Sequence, residues 1–321
     1  MKKAVEFIEQ ALSVFPSNVE TISNGSLTAV ARTFLKDAQR RVTENTLRDY
    51  AHEVIYFIQW AVPQGITTMD QLNDTRVIGA YLSKLTTHRN PGGQFAGYRV
   101  LKTFTYWWER QTDEEWRSPF HKIKGPRVPE IPPRAIAMGD FDKMIEACNP
   151  SVTPGGLRNK AILYALLDTG CRAQEFCDMR IVDLDYGNGT IMIPKSKSGH
   201  PRIVFIGNIT RKAIMKYVSR RRDKCEYLWI KVDGNQLTKD SLRDIVVDVA
   251  ERAHVAVPGL HDFRRTFALN FLRNNPNDLI SLQRLMGHRS LRIIERYVAF
   301  TVDDLSAAHQ RGSPVDGRYG R

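Results

Sequence analysis

The chain has 321 residues, 42% of them hydrophobic, which is enough for two domains with buried cores. Its 47 lysines and arginines against 35 aspartates and glutamates give a net charge of +12, which favours a polyanionic partner such as nucleic acid. No apolar run approaches the ~18 residues of a membrane span. Residues 1–15 form an amphipathic pattern and not a signal peptide, and the 4 cysteines include no C-x-x-C pair. These features exclude a membrane or disulfide-framework protein and predict a cytoplasmic one.

After an N-terminal extension, 1–25, the segment 26–118 is predicted to form a small all-helical domain. Apolar residues recur at helical spacing over 27–40, 43–61, 75–85 and 95–110. Thr43 is an expected N-cap of the second helix, and Pro63 and Gly65 are expected to end it.

The segment 119–135 is predicted to be an extended basic linker. Prolines at 119, 126, 129, 132 and 133 fix the backbone and remove amide donors, which disfavours a helix. Lys122, Lys124 and Arg127 are candidate contacts to nucleic-acid phosphates, although an ordinary solvated position is an equal alternative for each.

The segment 136–311 is predicted to be a second, mostly helical domain with one small sheet. Two short β-like runs, 190–193 and 202–206, are joined by a basic turn that contains Lys195 and Lys197. The predicted helices surround this hairpin at 138–147, 158–167, 172–179, 210–221, 238–254, 261–273, 278–285, 290–298 and 302–310. The tail, 312–321, is rich in glycine and proline and is expected to be flexible.

Five short motifs follow one another over about 125 residues of this second domain. They are Arg172 in the run Thr169-Gly170-Cys171-Arg172, Lys197 in the basic turn, His261 and Arg264 in Leu260-His261-Asp262-Phe263-Arg264, the step Met286-Gly287-His288, and Tyr297 nine residues later. Their order and spacing resemble the tyrosine recombinases of the phage integrase family.

These residue types suit cleavage of a DNA phosphodiester. A tyrosine phenoxide is both a nucleophile and a tolerable leaving group. Negative charge gathers on the non-bridging oxygens of the reacting phosphorus, and the planar guanidinium of arginine can bond two of them without losing its charge. A proton donor is also needed for the departing 5′ oxygen.

The resemblance implies a role for each residue. Tyr297 would be the nucleophile, with Tyr319 as a formal rival, while Arg172, His261, Arg264 and His288 would bind the phosphate. Glu175 would support the active-site residues without itself contacting the phosphate. Lys197 would be the general acid, with Lys195 as the alternative, and Arg202, Lys195 and the linker cations would contact DNA. Neither metal nor nucleotide cofactor is implied.

The resemblance also implies a fold and an assembly. The expected fold is mainly α with a small β-sheet: a SAM-like helical core-binding domain at 26–118 and a mixed α+β catalytic domain at 136–311. Such proteins clamp duplex DNA as a dimer per site and a tetramer in the synapse, and exchange strands through a Holliday junction. The 302–310 helix would dock on a neighbouring protomer. Base contacts are expected from 95–110 and 238–254.

The short region before residue 26 leads us to expect the simple Xer or Cre plan, which binds core sites alone. Two other functions stay open: a type IB topoisomerase-like relaxing enzyme, and a DNA-binding regulator of the same fold that does not cleave. Target sequence, any accessory protein, and a role in integration of mobile elements or in resolution and segregation are not determined by these residues.

Overall fold

The computed structural model describes residues 25–112, 115–129, 135–149, 155–194, 201–275 and 278–287, and single positions between 309 and 318. The expected helices at 1–15 and 290–298 lie outside these ranges. The expected helix at 302–310 also lies outside them, except for residues 309 and 310. The chain divides into two compact units, Met1–Glu130 and Ile131–Arg321. Within the described ranges, no helix is both long and apolar enough to cross a membrane.

In the described part of the first unit, four long helices pack around an apolar core. They are α1 (Leu27–Gln39), α2 (Glu44–Ala61), α3 (Thr75–His88) and α4 (Pro91–Glu109), with short 3-10 turns at Val62–Gln64, Asp70–Asn73 and Pro119–His121. Each long helix buries one face and leaves the other in solvent, as its apolar period requires. Phe34 is buried in this core and contacts the rings of Phe104 and Trp107.

Side-chain caps set where these helices begin. Thr43 accepts a bond from the amide of Thr46 at the start of α2, as the sequence predicts. Asn90 caps α4, which has Pro91 in its first turn. Helix α4 therefore begins four residues before the predicted start at 95, because the cap and the proline outweigh the poor helix propensity of Gly92 and Gly93.

One buried ion pair lies beside the core of the first unit. Nη1 of Arg89 donates to both carboxylate oxygens of Glu53, at 2.8 and 2.6 Å, and its guanidinium lies 4.4 Å from the ring centre of Tyr56. The two side chains are 16% and 10% exposed, so each charge depends on the other.

The expected linker does not begin at residue 119. Ser118 caps the turn Pro119–His121, and the ring of Phe120 is 2% exposed within the core of the first unit. The hydroxyl of Tyr98 donates to the carbonyl of Ile123 at 3.0 Å. Apolar burial and side-chain bonds thus hold 119–123 in the first unit, and the proline pattern alone placed the boundary too early.

The second unit packs seven described helices around a small sheet. The helices are α5 (Met138–Ala147), α6 (Gly156–Thr169), α7 (Ala173–Cys177), α8 (Asn208–Val218), α9 (Lys239–Arg252), α10 (Leu260–Asn274) and α11 (Leu279–Met286), and a 3-10 turn, Ile181–Asp183, precedes the sheet. Trp229 is fully buried and stacks on Phe176 and Tyr217. The predicted mainly helical fold with one small sheet is confirmed.

The sheet is antiparallel, in the order β1 (Leu184–Asp185), β2 (Thr190–Ile193) and β3 (Arg202–Phe205). Strand β1 was not predicted, because two residues are too few to show an alternating pattern. The β2–β3 register pairs Ile193 with Arg202. Arg202 therefore lies at the end of the hairpin next to the connecting segment, of which 195–200 lies outside the described residues.

Candidate active site

Arg172 is held at the junction of α6 and α7. Gly170 ends α6 with φ +55°, a left-handed conformation that favours glycine, and Arg172 then serves as the N-cap residue of α7. One oxygen of Glu175 accepts from Nη1 of Arg172 at 2.9 Å, and the other accepts from its backbone amide at 3.2 Å. The two side chains thus form an ion pair, and the Arg172 side chain keeps 29% of its surface exposed.

Arg264 and His261 lie one turn apart in the first half of α10. Arg264 is 1% exposed, and its Nη1 and Nη2 donate to the carbonyls of Gly170 at 2.6 Å and Met286 at 2.7 Å. Phe263 points into the core of the unit. The turn that follows α6 and the end of α11 are thereby tied to the same arginine of α10.

The C-terminal end of α11 is a meeting point for three arginines. The carbonyls of Leu285, Met286 and Gly287 accept, in that order, from Arg202, Arg264 and Arg172. The carbonyls of a last helical turn carry partial negative charge and lack partners within the helix, so cationic donors are favoured there. The three arginines come from β3, α10 and the α6–α7 junction, which lie far apart in sequence.

Arg202 is not where the sequence interpretation put it. We expected a surface contact to DNA, but its side chain is 10% exposed, and its Nη2 donates to Glu175 at 2.8 Å. The alternation of β3 explains the position, because Arg202 shares the buried face with Val204 while Ile203 and Phe205 face outward. All three residues after Arg202 are apolar, so the sequence offered no alternation from which to predict this.

The electrostatics of the site favour a charged carboxylate and a neutral imidazole. Burial works to raise the pKa of Glu175, but bonds and charge from Arg202 and Arg172 outweigh it and hold that pKa below 4.5. Loss of solvent around the ring, and then the charges of Arg265 and Arg264, lower the pKa of His261 below 6.5. The charge of Arg172 acts on His261 in the same direction, so the structure brings these residues together.

The remaining predicted residues fall into two groups. Lys195, Lys197, His288 and Tyr297 lie outside the described residues. Lys122, Lys124 and Arg127 are exposed in the first unit. No cluster of three histidine, cysteine, aspartate or glutamate side chains suited to a metal ion occurs in the described part of the chain.

Comparison with known proteins shows which family the chain resembles. Residues 136–303 match the phage integrase family. The tyrosine recombinase XerC of Oceanobacillus iheyensis is 27% identical over 287 residues, covering 86% of this chain and 92% of that protein.

Two solved structures share the fold. One is the XerH site-specific recombinase bound to palindromic difH substrate, with TM-score 0.68, 18% identity and coverage of 96% of this chain and 94% of that one. The other is a lambda integrase dimer bound to a core site, with TM-score 0.68, 17% identity and coverage of 84% and 97%. Because the family match spans more than half of its residues, the chain belongs to the phage integrase family.

Proposed function

We infer that the chain is a site-specific tyrosine recombinase, an enzyme that cuts and rejoins duplex DNA. The observation that carries this inference is the convergence of Arg172 and Arg264 at the end of α11, with His261 one helical turn from Arg264 and within range of the charge of Arg172. These residues follow the order and spacing of the family to which the chain belongs. Directly after this helix the chain continues to His288 and then to Tyr297.

In the proposed reaction, the Tyr297 oxygen attacks the scissile phosphorus and its phenolic proton passes to solvent water. The bond from phosphorus to the 5′ oxygen breaks, which leaves a 3′-phosphotyrosyl link and a free 5′ hydroxyl. Lys197, or Lys195 in its place, gives the departing oxygen its proton. Attack by a 5′ hydroxyl from the partner strand reverses these steps and restores the phosphodiester, so the bond energy is conserved.

The arginines stabilise the charge that develops on the phosphate. Arg172 suits this role because Glu175 and the Gly287 carbonyl hold its guanidinium in place while part of its side chain remains exposed. Arg264 is 1% exposed and its Nη1 and Nη2 donate to two carbonyls, so the phosphate contact that the resemblance implies for it would require one of these carbonyls to be exchanged for a phosphate oxygen. The lowered pKa of His261 keeps its ring neutral at pH 7, able to donate one hydrogen bond and accept another.

We propose further that two protomers bind one site and four form the synapse, with strand exchange through a Holliday junction. A palindromic substrate bound by XerH and a lambda integrase dimer on its core site support two-fold symmetry for this fold. The first unit would supply the core-binding domain, with the α4 region and the exposed Lys122, Lys124 and Arg127 close to DNA. The protein would act in the cytoplasm, on mobile elements or in resolution of replicons.

The test is covalent trapping on a nicked duplex. The duplex carries the sequence that the wild-type protein selects from a random pool, and adducts are separated on a denaturing gel. We expect an adduct from the wild type and from Tyr319→Phe, the matched control, and none from Tyr297→Phe. An adduct that survives in Tyr297→Phe means that another residue is the nucleophile.

Two outcomes favour the other functions. Tight binding without any adduct supports a regulator that does not cleave. Adduct formation with relaxation of a supercoiled plasmid, but no strand exchange between two sites, supports a topoisomerase-like enzyme.

A further inference from the structure

Arg202 joins the two structural elements that anchor Arg172. Its Nη2 donates to Glu175 at 2.8 Å, and its Nη1 donates to the Leu285 carbonyl at the end of α11. Glu175 in turn accepts from Arg172, and the Gly287 carbonyl accepts from Arg172 at 3.4 Å. Arg202 and Arg172 therefore share both supports, the carboxylate of α7 and the last turn of α11.

The space for this arrangement depends on Gly287. Its φ is +64°, and a Cβ on this residue would lie 2.8 Å from Cδ of Arg202. That separation is shorter than a van der Waals contact, so the Arg202 stem passes over a backbone that must carry no side chain. Gly287 thus has two structural roles: it leaves room for the Arg202 side chain, and it adopts the left-handed conformation that ends α11.

The bonding of Arg202 also suits a residue that supports Arg172. Its side chain is 10% exposed, and it lies on the inward face of β3. Its charge is matched by Glu175, which the same hydrogen bond keeps ionised against the cost of burial. A planar guanidinium can serve a carboxylate and a carbonyl at once, whereas the single ammonium of lysine cannot hold both in fixed directions.

We propose that Arg202 is a positioning residue for strand cleavage, which fixes Glu175 against the last turn of α11 and so holds the Arg172 guanidinium at the scissile phosphate. The inference rests on the proposed function and adds a residue to it. Strand β3 carries this support, and the segment with Lys195 and Lys197 directly precedes Arg202. In sequence, Lys195 and Lys197 therefore lie between β2 and the strand that supports Arg172.

The experiment measures the single-turnover rate of adduct formation on the nicked duplex, at protein concentrations that saturate the DNA. DNA affinity is measured by gel shift and the unfolding midpoint by circular dichroism. The variants are Arg202→Gln and Arg202→Lys. Arg211→Gln is the matched control, because Arg211 also donates to two carbonyls, those of Tyr186 and Gly187, in the same unit.

We expect Arg202→Gln to lower the cleavage rate by about 10- to 100-fold, the cost of misplacing a catalytic group by about 1 Å, while DNA affinity stays within about threefold of the wild type. Arg202→Lys keeps a positive charge beside Glu175 and should fold even where Arg202→Gln does not. Its cleavage rate should lie between those of the wild type and Arg202→Gln. Arg211→Gln should cleave at the wild-type rate.

The inference is overturned if both Arg202 variants cleave at the wild-type rate, or if their rates fall only in proportion to lost binding or lost folded protein. It is equally overturned if Arg211→Gln loses as much cleavage as Arg202→Gln, because any arginine of this unit that bonds two carbonyls would then do the same. If the wild type itself forms no adduct, the proposed function fails and this inference fails with it. If the wild type forms the adduct and both Arg202 variants cleave at the wild-type rate, this inference fails but the proposed function stands.

Discussion

Replacing Gly170 by alanine should destabilise the second unit more than replacing Gly155 by alanine. The residue has φ +55°, and a Cβ built there lies 2.5 Å from Cδ1 and 2.9 Å from Cγ of Phe267. The left-handed conformation costs an alanine about 1–2 kcal/mol. Overpacking against the partly buried Phe267 ring, which packs beside Phe271, adds about 1–3 kcal/mol, so the expected loss of unfolding free energy is about 2–5 kcal/mol.

Gly155→Ala is the matched control. Gly155 also has a positive φ, +76°, but its nearest neighbour is the flexible end of Arg158, at 3.3 Å from the built Cβ. Only the backbone cost of about 1–2 kcal/mol should apply there. In a Phe267→Leu background the cost of Gly170→Ala should shrink by about 1–3 kcal/mol, because the ring that causes the overlap has gone.

The assay is urea unfolding of the full chain, followed by the fluorine signal of 5-fluorotryptophan at Trp229. Of the 5 tryptophans, the other four, at 60, 107, 108 and 116, belong to the first unit, so this signal reports the second unit alone. Equal losses for Gly170→Ala and Gly155→Ala would refute the reasoning. So would a Gly170→Ala cost that does not change in the Phe267→Leu background.

Two further predictions concern charge. Arg89→Ala should lower the unfolding free energy of the first unit by about 2–4 kcal/mol, since it leaves Glu53 buried without its guanidinium. Arg76→Ala breaks an exposed pair with Asp74 and should leave the unfolding free energy essentially unchanged. Equal losses of unfolding free energy for the two variants in urea unfolding would contradict this. His261 should titrate below pH 6.5 by NMR of its ring, because limited solvent and then Arg265 favour the neutral form, and Arg265→Gln should raise the midpoint while Arg211→Gln should not. Since the fold disfavours the protonated ring, the contribution of His261 to stability should fall as the pH drops through and below 6.5; a midpoint above 6.5 would contradict the assignment.

Most helices of the first unit and two of the site motifs could be predicted from local sequence patterns. The period of apolar residues predicted α1, α2 and α3 closely, since a helix that buries one face must repeat every 3.6 residues. The cap at Thr43 was predictable because its bond spans three residues. The motifs around Arg172 and around His261 and Arg264 could be found in the sequence because residue identity and spacing suffice for a resemblance.

Only the tertiary structure decided which groups meet at the end of α11. Arg202 and Leu285 lie 83 positions apart, and Arg172 and Gly287 lie 115 apart, so no local period records that they are partners. The same limit explains the burial of Phe120 and the missed strand β1. A local pattern predicts which face of its own helix or strand a side chain occupies, but long-range packing determines which residues that face contacts. The inward position of Arg202 follows from that packing.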